Sequence, residues 1–195
     1  GLPMFRRYRN QHTAHRSAFH AVGRASCAAI EALEDRLLLS TTGLSGAYFN
    51  NVNLSGSPAV TRVDKTIDFK WNAGSGPAGV SADQFSVRWS GKVTPLYTGA
   101  YTFLTRSDDG VRLFVNGQKI IDNWNRHPET LNSGVINLTA GQQADIRMEF
   151  FQSYGGATAR LYWQSKSQVQ QIIPESALSN DGVTNPGDPG GTGGT

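Results

Sequence analysis

From Leu44 onward, apolar and polar positions along the chain alternate with a period of two. Ile67, Phe69 and Trp71 alternate with Asp68 and Lys70, and Phe85, Val87 and Trp89 with Ser86, Arg88 and Ser90. Val111, Leu113 and Val115 flank Arg112, and Ile146, Met148 and Phe150 flank Arg147 and Glu149. Tyr48 and Phe49 open the series, Tyr101 and Phe103 follow Gly99, and Leu161 and Trp163 close it. Such alternation puts one side of each strand into a core and the other into solvent. Turn chemistry separates the runs at Gly74-Ser75-Gly76-Pro77, Asp109-Gly110, Asn116-Gly117, Ala140-Gly141 and Gly155-Gly156. Asn116-Gly117 between two apolar runs predicts a hairpin, because both residues accept positive φ. Many short antiparallel strands at this spacing predict an all-β sandwich or barrel.

The pattern fails at both ends, which predicts three segments: a leader over 1–43, a folded domain over 44–178 and a linker over 179–195. The first 30 residues hold no Asp or Glu, three of the four His and no sustained apolar period. They read as a basic targeting or processed segment, without the unbroken apolar stretch of an ordinary secretory signal. Arg6-Arg7 is a bare twin-arginine pair. Over 26–39, Ala29, Ile30, Leu33, Leu37 and Leu38 take helical spacing behind Ser26, a short amphipathic helix. The final residues, rich in Gly, Pro and Thr, read as a linker leading to further domains of a longer polypeptide.

Charge changes the picture in one respect. The sequence pI near 9.2 invites a nucleic-acid or membrane partner. Yet residues 1–40 carry six Arg against three acids, while residues 41–195 carry twelve basic and twelve acidic residues. The predicted domain is therefore neutral and lacks the electrostatic term that dominates nucleic-acid affinity. No apolar stretch is long enough for a membrane span. The single cysteine, Cys27, lies outside the predicted domain and settles no redox compartment. No nucleophile elbow, zinc-protease helix or phosphate-binding loop is present, so the chain itself reads as a non-enzyme.

Four ordered segments carry a family resemblance. They are Gly43–Phe49; Phe85–Gly91 with Tyr97–Phe103; Ser107–Gly117 running on to Ile121-Asp122-Asn123-Trp124; and Arg147–Phe151 with Gly155-Gly156-Ala157 and Leu161–Trp163. Their order and spacing over about 120 residues resemble the protective-antigen, or PA-14, family. The resemblance implies a two-sheet antiparallel β-sandwich, and in lectin-like members a Ca²⁺ ion held by two consecutive Asp joined by a cis peptide. A second loop there supplies an Asn side chain and a backbone carbonyl, and the ion takes sugar hydroxyls. Ca²⁺ prefers six to eight oxygen ligands, and a cis link lets two adjacent carboxylates converge where an extended strand would splay them. Residues 33–40, Leu-Glu-Asp-Arg-Leu-Leu-Leu-Ser, resemble a planctomycete-type export motif.

Carried onto this chain, the resemblance assigns Asp108 and Asp109 to the metal, with Gln152 where the lectins have Asn and Tyr154 near the carbonyl donor. Gln152 departs from the pattern by one methylene. Trp124, Asn125, Ser153 and Gly155 are candidates for ligand contact, since aromatic rings can stack on a sugar face. The bland alternatives are a turn for Asp108-Asp109-Gly110, a loop anchor for Trp124, core packing for Trp71, Trp89 and Trp163, and an ordinary surface role for His127. The implied function is Ca²⁺-assisted binding of glycans or polysaccharide by a module of a secreted or surface protein. The alternatives are a structural or protein-interaction spacer and an accessory domain of a glycoside hydrolase or other extracellular enzyme.

Overall fold

A computed structural model describes residues 42–180, and within them the chain forms two antiparallel β-sheets. The predicted helix over 26–39, Arg6-Arg7, the export-like motif at 33–40, Cys27 and the linker beyond residue 180 lie outside the described residues. The strands are β1 (Leu44–Phe49), β2 (Val60–Asp64), β3 (Asp68–Trp71), β4 (Phe85–Val93), β5 (Gly99–Asp108) and β6 (Val111–Val115). They continue with β7 (Gln118–Asn123), β8 (Thr130–Leu138), β9 (Ala144–Gln152), β10 (Ala157–Ser165), β11 (Gln168–Ile172) and β12 (Leu178–Ser179). One 3-10 turn, Glu175–Ala177, precedes β12. One sheet runs β2-β1-β4-β9-β6-β7 with β12 on β4, and the other β11-β10-β5-β8 with β3 on β10.

The in-facing residues are those the alternation marked. Trp89, Phe85, Met148, Phe150 and Leu113 from one sheet meet Trp163, Tyr101 and Phe103 from the other, all fully buried. Phe69 stacks between Trp71 and Trp89 at centroid distances of 5.1 and 5.7 Å, closing the core beneath β3. Burying each such side chain contributes about 1.5–3 kcal/mol. Asn116 (φ 49°) and Gly117 (φ 76°) form the β6–β7 turn that their type predicted.

Two regions depart from simple alternation. At the end of β9, Met148 through Gln152 are all buried, because the outer face there is covered. Loop residue Leu54 and Trp124 pack with Ala47 and Phe49 in a second, smaller cluster outside the sandwich. The loop is tied down by Ser86, whose hydroxyl donates to the Asn51 carbonyl (2.6 Å) and accepts from the Leu54 N–H (3.1 Å). Over residues 131–135 of β8 the pattern is reversed: Leu131 and Val135 are exposed while Asn132 and Gly134 face inward, and Ile136 and Leu138 then restore it. The β7 backbone explains Gly134, since a Cβ there would lie 2.2 Å from the Ile120 carbonyl oxygen.

Candidate functional site

Asp108 ends β5 in one sheet and Val111 begins β6 in the other, so Asp109-Gly110 carries the chain across the rim of the sandwich. The crossing is tight. A Cβ on Gly110 would sit 2.2 Å from the Phe151 ring, and the Phe151 N–H donates to the Gly110 carbonyl at 3.0 Å. The Asp108–Asp109 peptide is cis.

The second loop lies against this corner. Gln152 is fully buried at the end of β9. Its amide oxygen accepts from the Asp109 N–H (3.1 Å) and its amide nitrogen donates to the Gly156 carbonyl (3.1 Å). The Ser153 N–H donates to Asp109 Oδ2 at 2.8 Å. A third segment, just before β4, holds the loop from behind. The Gln84 backbone and side chain both donate to the Ser153 carbonyl (3.0 and 3.2 Å), and Asp83 accepts from the Gly155 N–H (3.0 Å). Gly155 needs its positive φ of 96° to make that bend. Asp108, Asp109, Gln152, Ser153, Tyr154 and Gly155 are thus brought together at one end of the sandwich.

The two carboxylates differ sharply in partners. Asp109 is 5% exposed and bound by Ser153. Among the described residues no hydrogen bond or ion pair reaches the Asp108 carboxylate. Burial first, then repulsion from Asp109 and more weakly from Glu129, pushes its carboxyl above the ordinary value, with His127 working against them. Glu129 is brought alongside by the pairing of Thr130 with Ser107. It accepts from Arg106 (3.0 Å) and the Thr158 hydroxyl (3.0 Å), which hold its carboxyl below the usual range. Nothing in the sequence marked Glu129, which lies 20 residues from Asp109 and arrives only through strand register.

The aromatic candidates divide unexpectedly. Trp124 is committed to the protein: the Arg112 guanidinium lies 4.1 Å above its ring, and the Phe151 ring meets it edge-on at 4.8 Å. It anchors the β7–β8 loop. Asn125 and Arg126 beyond it are exposed. Tyr154, singled out in the sequence only for its carbonyl, presents the free ring, 63% exposed, with Arg126 5.7 Å from its centroid. No donor among the described residues bonds the Tyr154 carbonyl.

The donor set fits a hard cation in part. Two acids sit together, one without a hydrogen-bond or ion-pair partner among the described residues, beside a free carbonyl and an amide oxygen with a second lone pair. Among the described residues, no group of three or more His, Cys, Asp or Glu side chains could hold a metal ion. An ion here would draw its remaining ligands from amide, backbone, water or ligand oxygens. No helix among the described residues is long and apolar enough to cross a membrane.

The comparisons with known proteins agree with this architecture. The model of the PA14 domain matches residues 40–177. The anti-sigma-I factor RsgI3 of Acetivibrio thermocellus is 47% identical over 137 residues, covering 70% of this chain and 21% of the relative. The solved structure of an anti-sigma factor domain-containing protein superposes with a TM-score of 0.71 at 44% identity, over 74% of this chain and 50% of that one. A PA14 sugar-binding domain from an RTX adhesin shares the fold at a TM-score of 0.62 and 18% identity, over 72% of this chain and 99% of that one. The chain spans about a fifth of the length of the curated relatives it matches.

Proposed function

The chain belongs to the PA14 domain family, a binding or structural type of domain, and on that premise we propose that it is a glycan-binding module assisted by Ca²⁺. The observation that carries the reading is the Asp108 carboxylate: half-buried, unpartnered, and raised by burial and then by its neighbour's charge. Two adjacent carboxylates repel, and a divalent cation would relieve both while leaving coordination positions for sugar hydroxyls. Asp108 and Asp109 are the proposed carboxylate ligands, with the Tyr154 carbonyl and the remaining lone pair of the Gln152 oxygen completing the protein's share. Gln152 also fixes the Asp109 amide, so the extra methylene relative to Asn lets it brace the corner from within the core. The exposed Tyr154 ring, rather than Trp124, is the face on which a sugar would stack. Ser153 and Gly155 border the same corner, and Asn125 adjoins Arg126, which reaches over the Tyr154 ring.

A glycan array probed with the 195-residue chain in Ca²⁺ and in chelator tests this function. The reading expects hits that need Ca²⁺ and vanish in Asp108→Asn. An array blank in both conditions would favour the spacer reading instead.

A second reading concerns context. The 47% identity to an anti-sigma factor of which the match covers only 21% favours a module that serves as the ligand-binding input of a larger signalling protein, displayed outside the cell. Attachment to a glycoside hydrolase is the other arrangement. Fusing the module to the segment encoded beside it and measuring glycan affinity would separate a module that needs its neighbours from one that does not.

A further inference from the structure

The outer face of the seven-stranded sheet is chemically unlike the rest of the sandwich. Register places Arg88, Glu149 and Arg112 side by side on β4, β9 and β6, with Ser90, Arg147 and Phe114 in the adjacent row and Lys92 beside Asp145 in the next. Glu149 is 5% exposed and receives Arg88 at 3.0 Å and Arg112 at 2.7 Å. Lys92 pairs with Asp145 at 2.5 Å. With Lys119 and Asp122 of β7, which pair with each other, five cations on this face meet three carboxylates, and the excess is concentrated on Arg147. Its nearest approach to Glu149 is 3.6 Å, too long for a hydrogen bond, and no other acceptor among the described residues is in reach.

That guanidinium is nevertheless held in place. It lies 4.2 Å from the centroid of the Phe114 ring, as Arg112 lies over Trp124. Stacking fixes a planar fork without using its N–H donors. Arg147 and Phe114 also line a cavity of about 300 Å³, whose other walls include Ser90, Asp145 and the Gly117 turn. The result is an oriented donor array and an apolar ring around a space suited to one sugar ring, with the charge of the Asp145 carboxylate in its wall met by Lys92.

We propose that this face is a second ligand site, for a carboxylate-bearing glycan, with Arg147 taking the carboxylate of a uronic-acid unit seated beside Phe114. A fork meeting a carboxylate edge-on gives two charge-assisted hydrogen bonds. Arg88 and Arg112 flank Glu149 in the adjacent row, so Arg147 is the cation that a bound unit meets, and the other two add to the local positive field. Nucleic acid fits less well, because residues 41–195 are neutral as a whole and the excess charge is local. The site is separate from the acid pair: Arg147 is five residues from Gln152 along β9, about 17 Å in an extended strand.

The test is calorimetric titration of the 195-residue chain, in chelator, with a uronic-acid oligosaccharide and with the neutral oligosaccharide of the same linkage. Chelator silences any ion at Asp108 and Asp109, so failure here and failure of the Ca²⁺ reading remain distinguishable. The uronate should bind at least about tenfold more tightly than the neutral chain, and high salt should weaken it. Arg147→Gln should lose about tenfold or more with an unchanged melting temperature, while Asp108→Asn should bind as the wild type does. Four results would each overturn the proposal: no uronate binding, equal binding of the neutral chain, equal binding of an acidic peptide of the same charge, or unaltered affinity in Arg147→Gln.

Discussion

Two carboxylates in this domain show what distinguishes a structural acid from one kept available. Asp64, at the end of β2, is 7% exposed and saturated. It accepts from the Tyr48 hydroxyl, from Trp89 Nε1 (2.7 Å) and from Arg62 Nε (2.8 Å), and Arg62 also reaches the Tyr48 oxygen (2.7 Å). Gly46 makes room for it, since a Cβ there would lie 2.7 Å from Asp64 Oδ2. Asp108 is more exposed and has none of this. Its surroundings supply burial and two like charges, Asp109 and Glu129, against the opposing pull of His127 alone. The fold offsets the cost of Asp64 locally and leaves the cost of Asp108 standing, which is the arrangement expected where a ligand supplies the missing charge.

The comparison can be broken in four places. The largest effect belongs to Asp64→Ala, which leaves a buried hydroxyl, an indole N–H and a guanidinium without their acceptor. It should cost about 3–5 kcal/mol in urea unfolding, and a loss below about 1 kcal/mol would mean the network is ornamental. Next comes Ca²⁺ itself. At a hundredfold excess over its Kd the ion should stabilise the wild type by about 2.7 kcal/mol, read as a rise in melting temperature absent from Asp108→Asn. Asp109→Ala should cost about 1–3 kcal/mol even without metal, because it strands the buried Ser153 N–H. Smallest is Asp108→Asn in chelator, within about 0.5 kcal/mol of wild type near neutral pH.

The two sites also respond to pH through different groups, Asp108 in one and Tyr48 in the other. The folded-state carboxyl of Asp108 titrates above its unfolded value. Between the two values the folded state holds the extra proton, so stability falls as pH rises through that window. Asp108→Asn should flatten this slope in chelator, whereas a steeper one would contradict the geometry. Beside Asp64, burial and the carboxylate push the Tyr48 phenol far above its ordinary range. Unfolded Tyr ionises near pH 10 while the folded one stays protonated, so stability should also fall in strong alkali.

Most of the sandwich was legible because its strands bury one face and expose the other. Phe85–Trp89, Val111–Val115 and Ile146–Phe150 follow the period of two, and Asn116-Gly117 names its own turn. β8 was not legible: Gly134 faces inward because the β7 backbone leaves no space for a side chain, so the apolar residues that catch the eye, Leu131 and Val135, point outward. β2 was missed because its solvent-facing residues outweigh the buried Asp64. At the site, the family resemblance named Asp108, Asp109 and Gln152. It could not tell that the Gln152 oxygen engages the Asp109 N–H, that Trp124 is stacked under Arg112, or that Tyr154 holds the open ring. Those depend on which neighbour reaches each group first, and strand register rather than local sequence decides that.

The most direct measurement is calorimetric titration of Ca²⁺ into the 195-residue chain, wild type against Asp108→Asn and Asp109→Asn. The account predicts one site in the wild type, lost in both variants while each stays folded. Equal heats in all three proteins, or none in the wild type, would contradict it.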